Sequence, residues 1–442
     1  MKIAVIGSGI SGLVAANRLQ SRHDVTLYEA NAYLGGHTNT VDVELDGERQ
    51  QVDTGFIVFN DWTYPNFIRL LEEFDVASKP TIMSFSVSDE RTGLEYNGHT
   101  LNTLFAQRRN LIRPSFLRMV ADILRFNREV LSVLEGDNEA KTVGEFVAER
   151  GYSKGFVDHY LLPMGAAIWS CPTGTFADFP IRFIAEFYRN HGLLNVVRRP
   201  TWRVIEGGSH TYVRAMMAGF RGQVRLQTPV RAIRRFEDCV EVDAAPKSGE
   251  RYDHVIFACH ADQALRILGN GATQPEREIL AAFPYSQNIA VLHTDTSALP
   301  NSRLAWASWN YRLTGNPAAP ASVTYNMNIL QGLSSKRTFC VTLNDEARIA
   351  PESVLARFHY EHPIYTTGRA AAQARHRELL SSNRTSFCGA YWRNGFHEDG
   401  VVSALAVVEA IAPEFSHSNS GAMANLCLDE PTYAPRRSGV VS

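Results

Sequence analysis

The chain has 442 residues, of which 45% are hydrophobic and 20% charged, an ordinary globular composition with enough length for more than one domain. Its formal net charge of -2 gives none of the basic field that nucleic-acid-binding proteins carry, so no DNA or RNA partner is expected. The six cysteines are far apart and form no CxxC pair, and the histidines form no HExxH motif, so the sequence predicts no metal site.

The start of the chain indicates a protein that stays in the cytoplasm. Residues Met1 to Gly7 pass from one lysine through a short apolar run into a glycine turn, without the length or cleavage site of a signal peptide. The longest uncharged stretch, Tyr160 to Ala177, is interrupted by prolines and glycines and does not predict a membrane-spanning helix. We therefore expect any membrane contact to be peripheral, at the inner membrane surface.

Two short buried strands with a helix between them are predicted at the N-terminus. Residues 2–6 and 24–28 are apolar runs of strand length, and apolar residues between 9 and 20 recur at helical spacing. Between the first strand and the helix lies Gly7-Ser-Gly-Ile-Ser-Gly12. This GxGxxG pattern, in this position, predicts a dinucleotide-binding βαβ unit.

Each glycine of this turn has a predicted task. Gly7 permits the tight turn, Gly9 lets a pyrophosphate approach the backbone, and Gly12 lets the helix pack closely on the strand. The helix N-terminus offers free N–H groups to the phosphates. Glu29, at the end of the second strand, can accept hydrogen bonds from ribose hydroxyls and would repel a 2′-phosphate, so NADP is disfavoured while NAD and FAD both fit.

Later segments predict a second region of different character. From Leu101 to about Arg199 the pattern becomes helical, for example at Phe116 to Leu134, which predicts a helical insertion. A helix is predicted again at Val401 to Ile411, and the tail after Glu414 is predicted to be loop or disorder. Strand-like runs are Val224 to Ile233, Val240 to Val242, Val255 to Ala258, Ile289 to His293, Val323 to Met327 and Phe339 to Leu343.

Both ends of the chain resemble the flavin-containing amine oxidase and phytoene desaturase superfamily, whose cofactor is FAD. The N-terminal match consists of Ile6 to Leu13, Ala16, Leu19, Val25, Leu27, Glu29, Ala30, Gly35 and Gly36. The C-terminal match is Phe387-Cys-Gly389 followed by Gly400-Val401. In the superfamily this second motif places a helix N-terminus beside flavin N1 and O2, where backbone N–H groups stabilise the negative charge of reduction.

The resemblance implies a set of FAD-binding residues. Gly55 and Phe56 resemble the loop that approaches the flavin ring, and Val230 resembles a strand position that meets the adenine. The full set is Gly7, Gly9, Ser11, Gly12, Glu29, Ala30, Gly35, Gly36, His37, Thr38, Gly55, Phe56, Val230, Gly389, Asp399, Gly400 and Val401.

Three departures from the superfamily pattern weigh against simple amine oxidation. His37 stands where arginine or lysine often follows the paired glycines, which predicts a weaker or pH-dependent phosphate contact. The stretch Ser286 to His293 lacks the lysine that many amine oxidases carry there. His397 takes the approximate position of an aromatic-cage tyrosine.

As a whole the sequence is most similar to bacterial FAD-binding proteins of this superfamily that are often encoded beside cyclopropane-fatty-acid synthases. They also resemble the N-terminal region of plant versions of that synthase. Pro163 to Ser170 and Gly395 to Gly400 carry this resemblance. It suggests acyl-chain chemistry by association and fixes no reaction.

The candidate catalytic residues are His397 and Glu398, just before the proposed flavin-facing helix start. A histidine there could act as a base near neutral pH, with Glu398 orienting it. The competing interpretation is that Glu398 and Asp399 are helix-cap carboxylates and that His397 is a packing residue.

Two arginine-rich stretches suit an anionic membrane surface. Leu101 to Arg128 has six arginines against one acid, and Ile181 to Arg203 has five against one, both with interleaved aromatic residues. A solvated face whose arginines pair with carboxylates elsewhere is the competing interpretation.

Together these observations predict an α/β protein with a Rossmann-type FAD-binding domain of the glutathione-reductase kind and a substrate domain of mixed or antiparallel sheet plus helical insertion. The FAD-binding domain is predicted at 1–75, 200–270 and 380–415, the substrate domain at 76–199 and 271–379, and a tail at 416–442. The predicted activity is FAD-dependent desaturation, reduction or isomerisation of a hydrophobic substrate, a fatty-acyl or lipid chain. The alternatives are an amine oxidase and a non-catalytic flavin-binding accessory protein of a lipid-modifying enzyme, which would then be its protein partner.

Overall fold

The computed structural model describes residues 1–135, 141–245, 247–316, 318–366 and 368–413. The predicted tail at 416–442 lies outside the described residues, as does Cys427. The strands are β1 (Lys2–Ile6), β2 (Asp24–Tyr28), β3 (Thr40–Leu45), β4 (Glu48–Asp53), β5 (Val58–Asn60), β6 (Ser78–Pro80), β7 (Phe85–Asp89), β8 (Leu94–Asn97), β9 (Trp202–Ile205), β10 (Gln223–Arg225), β11 (Val230–Arg235), β12 (Val240–Ala244), β13 (Lys247–Tyr252), β14 (His254–Phe257), β15 (Tyr285–His293), β16 (Trp309–Leu313), β17 (Ser322–Asn326), β18 (Cys340–Leu343), β19 (Val354–Pro363) and β20 (Thr385–Phe387). The helices are α1 (Ile10–Leu19), α2 (Pro65–Glu73), α3 (Leu101–Leu104), α4 (Pro114–Glu129), α5 (Val143–Glu149), α6 (Lys154–Phe156), α7 (Leu162–Trp169), α8 (Thr173–Ala177), α9 (Ile181–Asn190), α10 (His210–Ala218), α11 (Ala261–Leu268), α12 (Gln274–Leu280), α13 (Met327–Leu330), α14 (Arg369–Ala374) and α15 (His397–Ile411).

A parallel five-stranded sheet, in the order β10-β2-β1-β14-β20, carries the predicted βαβ unit. Its central strand β1 is apolar throughout its buried part because both faces of the sheet are covered. Ile3 and Val5 pack with helices α1 and α15 on one face, whereas Ala4 and Ile6 pack with α11 and the antiparallel sheet β11-β12-β13 on the other. The predicted α/β fold with a Rossmann-type sheet is confirmed.

A mixed seven-stranded sheet, in the order β19-β15-β18-β17-β16-β7-β8, forms the second layer. Only the β16–β7 pair is parallel among its described neighbours. The helices of residues 101–190 pack against this sheet in one hydrophobic core. The parallel sheet draws its strands from the ranges predicted for FAD binding and the mixed sheet from those predicted for substrate, while the domain boundaries themselves stay a prediction.

Two local predictions are corrected by the structure. The run predicted at Val224 to Ile233 is two strands in different sheets, because Gln227 takes a left-handed φ of 50° that breaks the extended chain. The C-terminal helix, predicted to start near Gly400, begins at His397. Gly400 therefore lies inside its first turn.

Candidate flavin and substrate site

The glycine turn after β1 has the geometry that its sequence predicts. Gly7 has φ +103°, and a Cβ added there would lie 2.9 Å from the Ala258 carbonyl oxygen. A Cβ at Gly12 would lie 1.9 Å from the Gly7 carbonyl oxygen, so the helix can start this close to the strand only with glycine there. A Cβ at Gly9, in contrast, meets nothing within 4 Å. The space in front of Gly9 is open, which fits the approach of a pyrophosphate.

The starts of two helices meet at this turn. Gly9 caps α1 without a side-chain hydrogen bond, and the first backbone bond of the helix runs from Leu13 N–H to the Gly9 carbonyl at 3.0 Å. A Cβ at Gly400, in the first turn of α15, would lie 2.7 Å from Ile10 Cγ2 and 3.0 Å from Ser11 Oγ. The following residue of α15, Val401, is buried in the same core. The two helix starts, each with a partial positive charge, therefore lie side by side, an arrangement that suits the phosphates and the flavin of FAD.

Glu29 is buried at the end of β2 and holds the glycine turn in place. Its carboxylate accepts a hydrogen bond from the Ser8 backbone N–H at 3.0 Å, another from the Ser8 hydroxyl, and one from the Asn31 N–H at 2.8 Å. A carboxylate offers about four acceptor positions, so it keeps capacity for a ribose hydroxyl. Ala30 beside it is exposed.

The paired glycines pack directly on the glycine turn. Gly35 and Gly36 have φ of +117° and +59°, and a Cβ on Gly36 would lie 3.2 Å from Gly9 Cα. The loop containing Gly55 lies against the next residue, His37, since a Cβ at Gly55 would lie 2.1 Å from its carbonyl oxygen. The Phe56 N–H donates to that same carbonyl at 2.7 Å. The structure thus brings the 7–12, 35–38 and 55–56 segments together.

His37 lies buried in a cluster of rings. Its ring centroid is 5.0 Å from that of Tyr360, 5.3 Å from His362 and 6.0 Å from His260, and its Nε2 has no hydrogen-bond partner among the described residues. Burial, with the neighbouring histidines, holds the pKa of His37 well below its ordinary value. The ring is therefore uncharged near neutral pH, and the predicted weaker or pH-dependent phosphate contact stays a prediction. Its unpartnered Nε2 suits a bound polar group.

His397 is stacked rather than free. Its ring lies 3.4 Å from that of Phe56 at an interplanar angle of 12°, and its Nε2 is 3.1 Å from the Tyr212 hydroxyl and 3.0 Å from the Thr38 hydroxyl. Burial lowers the pKa of His397 to about 3. This pKa lies well below the neutral range in which a base role was expected, and that role for His397 stays a prediction.

Glu398 does not orient His397. Its carboxylate accepts hydrogen bonds from the Asn66 N–H at 3.1 Å, the Asn66 side-chain amide at 2.7 Å and the Phe67 N–H at 2.9 Å. Asn66 and Phe67 both lie in the first turn of α2. Burial raises the pKa of Glu398 to about 7. Asp399 accepts from the Phe396 N–H at 2.9 Å at the start of its own helix, and burial raises its pKa to about 6. Both carboxyls have the geometry of helix caps.

The other predicted residues lie at the edge of this arrangement. Gly389 follows β20 and donates its N–H to the Ser403 hydroxyl at 2.9 Å. Val230 opens β11, and the Thr228 N–H just before it donates to the Glu29 carbonyl at 2.8 Å. Val230 therefore lies close in the chain to a segment that contacts the predicted ribose side.

Sequence reasoning missed four side chains that surround the candidate site. They are Tyr212 on α10, His260 after β14, and Tyr360 and His362 on β19. No strand was predicted at 354–363, and no motif marks these residues. Only their contacts with His37, Thr38 and His397 show their position.

Within the described ranges, no helix is long and apolar enough to cross a membrane. The same residues contain no group of three or more His, Cys, Asp and Glu side chains arranged to hold a metal ion.

Comparisons with known proteins give one family for most of the chain. The sequence model for the flavin containing amine oxidoreductases matches residues 10–412. A 4,4'-diapophytoene desaturase (4,4'-diaponeurosporene-forming) of Staphylococcus aureus (strain bovine RF122 / ET3-1) is 55% identical over 40 residues, which is 9% of this chain and 8% of the relative. The match thus spans a small part of that curated protein.

Two solved structures are similar over nearly the whole chain. Cyclohexylamine oxidase from Brevibacterium oxydans IH-35A has a TM-score of 0.63 and 16% identity, covering 94% of this chain and 99% of that one. A CLA-producing fatty acid isomerase from P. acnes has a TM-score of 0.64 and 14% identity, covering 93% and 98%. At these identities the likeness shows the fold.

Proposed function

This chain belongs to the flavin-containing amine oxidoreductases and is an FAD-dependent oxidoreductase, and from that premise we propose that it desaturates, reduces or isomerises the hydrocarbon chain of a fatty-acyl substrate. When bound, FAD supplies hydride transfer at N5. The residues of this chain must then bind the substrate, orient it and exclude water.

The observation that carries the proposal is a wall of aromatic side chains that reaches the predicted flavin face. The Phe187 ring lies 5.2 Å from that of Phe396, and the next residue, His397, is stacked on Phe56. Behind Phe187, the Trp169 ring lies 4.9 Å away. Such a wall excludes water and suits a hydrocarbon chain.

The polar groups near His397 are arranged to fix position. The hydroxyls of Thr38 and Tyr212 are hydrogen-bonded to each other and both lie within hydrogen-bonding distance of His397 Nε2. This network holds the His397 ring against Phe56. We assign His397 a positioning role at the flavin face, consistent with its low pKa.

Amine oxidation is the second candidate, supported by the fold shared with cyclohexylamine oxidase. The lysine-free strand β15 weighs against it. Asn288, near the middle of that strand, is buried, and its side-chain amide lies 3.0 Å from His362 Nδ1, where it is already committed to a structural contact. The accessory role, in which a lipid-modifying enzyme is the partner, requires FAD binding without turnover.

Peripheral membrane contact is part of the proposal, through the segment that joins β8 to α4. Leu101 and Ile112 are 77% and 83% exposed, and Arg108 and Arg109 between them are exposed as well. Exposed aliphatic side chains beside arginines suit an anionic lipid surface. In α4 itself, by contrast, Arg125 pairs with Glu129, as the solvated-face interpretation expects.

One experiment separates the three functions. The lipids of cells with and without the gene are compared by mass spectrometry, and the purified yellow protein is assayed for peroxide release with amines and for turnover of fatty acids. A change in acyl double bonds together with turnover supports the proposal. Peroxide release with amines supports the oxidase instead, and bound FAD with neither activity supports the accessory role.

A further inference from the structure

Arg369, at the start of α14, is a buried arginine with two unused side-chain donors. It is 5% exposed, and its Nε and Nη2 have no hydrogen-bond partner among the described residues. Burial lowers the pKa of Arg369 only to about 10, so the side chain is charged at neutral pH. A buried charge without a hydrogen-bonded partner is costly, and native proteins rarely keep one without a ligand or function.

The two unused donors lie on the same edge of the guanidinium group. In this chain Arg312 uses that edge to bind the Asp345 carboxylate, Nε and Nη2 both donating to Oδ2, with an Nε to Oδ2 distance of 2.7 Å. An Nε/Nη2 fork is spaced for the two oxygens of a carboxylate. The edge that binds a carboxylate at Arg312 is therefore free at Arg369.

Other unpartnered polar groups surround Arg369. The Tyr365 ring lies 3.6 Å from the guanidinium carbon, and the Tyr365 hydroxyl is buried without a partner. Phe183 covers the guanidinium at 5.0 Å, and the Trp169 ring lies 5.4 Å from that of Phe183, with its own Nε1 unpartnered. Arg369, Tyr365 and Trp169 thus each have a hydrogen-bond donor without an acceptor in this aromatic cluster.

This cluster is continuous with the aromatic wall at the predicted flavin face. The Tyr365 hydroxyl lies against Gly395, where an added Cβ would be 2.0 Å away, and Phe396 follows directly. The carboxylate of Asp399 attracts the Arg369 guanidinium group, but the two form no ion pair among the described residues. The charge of Arg369 is therefore balanced only at a distance by Asp399, and its Nε and Nη2 donors stay available for a ligand.

We propose that Arg369, assisted by Tyr365, binds the carboxylate of the acyl substrate while the aromatic wall holds its hydrocarbon chain, an inference that rests on the proposed function. The substrate class is then a free fatty acid rather than an esterified lipid. The carboxylate binds as a bidentate acceptor on the Nε/Nη2 edge. The Tyr365 hydroxyl donates a further hydrogen bond.

The test measures binding to the full-length, FAD-loaded protein by calorimetry, with oleate, oleyl alcohol and 1-oleoyl lysophosphatidate as probes. Wild type should bind oleate on the order of 10- to 100-fold more tightly than oleyl alcohol, the usual worth of a charge-assisted contact. Arg369→Met should remove this preference, and Arg369→Lys should keep part of it. Arg375→Met, which removes a half-buried arginine of the same segment that pairs with Glu278 and Glu378, should leave it unchanged.

Several outcomes would overturn the inference. Equal affinity of wild type for oleate and oleyl alcohol rejects the carboxylate contact while leaving the proposed function intact. Tighter binding of lysophosphatidate than of oleate reassigns the site to a phosphate head group. Loss of FAD in Arg369→Met reassigns the arginine to the cofactor.

Stability separates binding from a structural role. Without ligand, Arg369→Met should melt no lower than wild type, because it removes a buried unpartnered charge. A lower melting temperature would show that the arginine supports the fold and would overturn the inference. Benzoate serves as a carboxylate without an acyl chain. If it raises the melting temperature of wild type but not of Arg369→Met, while no acyl compound binds, the proposed function is rejected and the carboxylate site at Arg369 is supported. If none of these probes binds, the proposed function and the carboxylate site are both rejected.

Discussion

The starts of α1 and α15 contact each other but are built in opposite ways. The first turn of α1 has no acidic residue and no side-chain cap, and the space in front of Gly9 is open. The first turn of α15 carries two buried carboxyls, Glu398 and Asp399, whose hydrogen bonds are already made within the protein. One helix start is thus open to an anion from outside, while the other is filled by the chain's own acids.

This difference predicts which of the two helix starts binds phosphate. A phosphate gains from an uncapped helix start but is repelled where carboxylates occupy the turn. The raised pKa values of Glu398 and Asp399, about 7 and about 6, indicate that part of this negative charge is neutralised near neutral pH. We therefore expect the α15 start to approach the flavin ring through its backbone groups.

The largest effect is expected from the glycines of the open end. Gly9→Val should leave the fold intact, because a Cβ there meets nothing, yet its side chain fills the space predicted for the pyrophosphate. The expected result is a folded, colourless protein, measured by circular dichroism and the flavin absorbance per chain. Gly12→Ala is the contrasting variant and should fail to fold, since its Cβ overlaps a backbone oxygen. Stoichiometric flavin in Gly9→Val would show that the phosphate site is wrongly placed.

The filled end should make stability depend on pH. The carboxyl of Glu398 has its pKa raised by burial from 4.5 to about 7, so between these values the folded state holds more protons than the unfolded state. Its contribution to the free energy of unfolding therefore falls as pH rises through this window. Glu398→Gln, which cannot ionise, should show a flatter decline in urea unfolding between about pH 5 and pH 7.5.

The same variant also weakens the cap of α2, by about 0.5–2 kcal/mol at all pH values. Glu72→Gln, an exposed position on α2, serves as the control and should leave both the slope and the midpoint unchanged. Parallel pH profiles for wild type and Glu398→Gln would contradict the raised pKa.

A smaller effect, on the rate of flavin reduction, is expected from substitution of His397, the first residue of α15. A positioned base contributes roughly 10²- to 10⁴-fold to rate. Because burial lowers the pKa of His397 to about 3, we expect His397→Ala to slow flavin reduction by less than that range, through loss of the ring stacked on Phe56. Stopped-flow reduction with the true substrate measures it, and Tyr212→Phe is the matched control for the hydrogen bond. A drop within the full range, at normal FAD content, would restore the base role.

The smallest effect concerns the surface far from both helix starts. Ile112→Glu should weaken binding to anionic liposomes without changing FAD content, because it places a carboxylate among the exposed aliphatic side chains beside Arg108 and Arg109. Binding of wild type should also weaken as salt rises. Sedimentation with neutral and anionic vesicles measures both. Equal binding to the two kinds of vesicle would reject the anionic-surface proposal.

The sequence predicted the local geometry at the start of α1 well and that at the start of α15 poorly. The turn of Gly7, Gly9 and Gly12 has a characteristic spacing that the sequence shows directly, although the contact of Gly7 with Ala258 appears only in the structure. The partners of Glu398 lie on α2, and those of His397 include Thr38 and Tyr212, all distant in the chain. Such contacts follow from how the sheets assemble, and no local pattern encodes them.

The site on β19 illustrates the same limit. Tyr360 hydrogen-bonds Asn39 and Thr54 and stacks with His37, yet its strand alternates exposed and half-buried residues and was not predicted. Arg369 is likewise unremarkable in the sequence. Its importance follows only from burial and from donors without acceptors.

The contact of Gly400 with Ile10 and Ser11 has a consequence for how the protein is made. β1 pairs with β14, and α15 packs beside α1, so the nucleotide site joins the first residues of the chain to nearly the last described ones. On the ribosome, the N-terminal βαβ unit keeps an apolar face exposed until α15 has been synthesised. Contacts of such long sequence separation slow folding and expose intermediates to aggregation. Supply of the flavin during expression should therefore raise the soluble yield, because bound FAD would stabilise the contact between α1 and α15 once it forms.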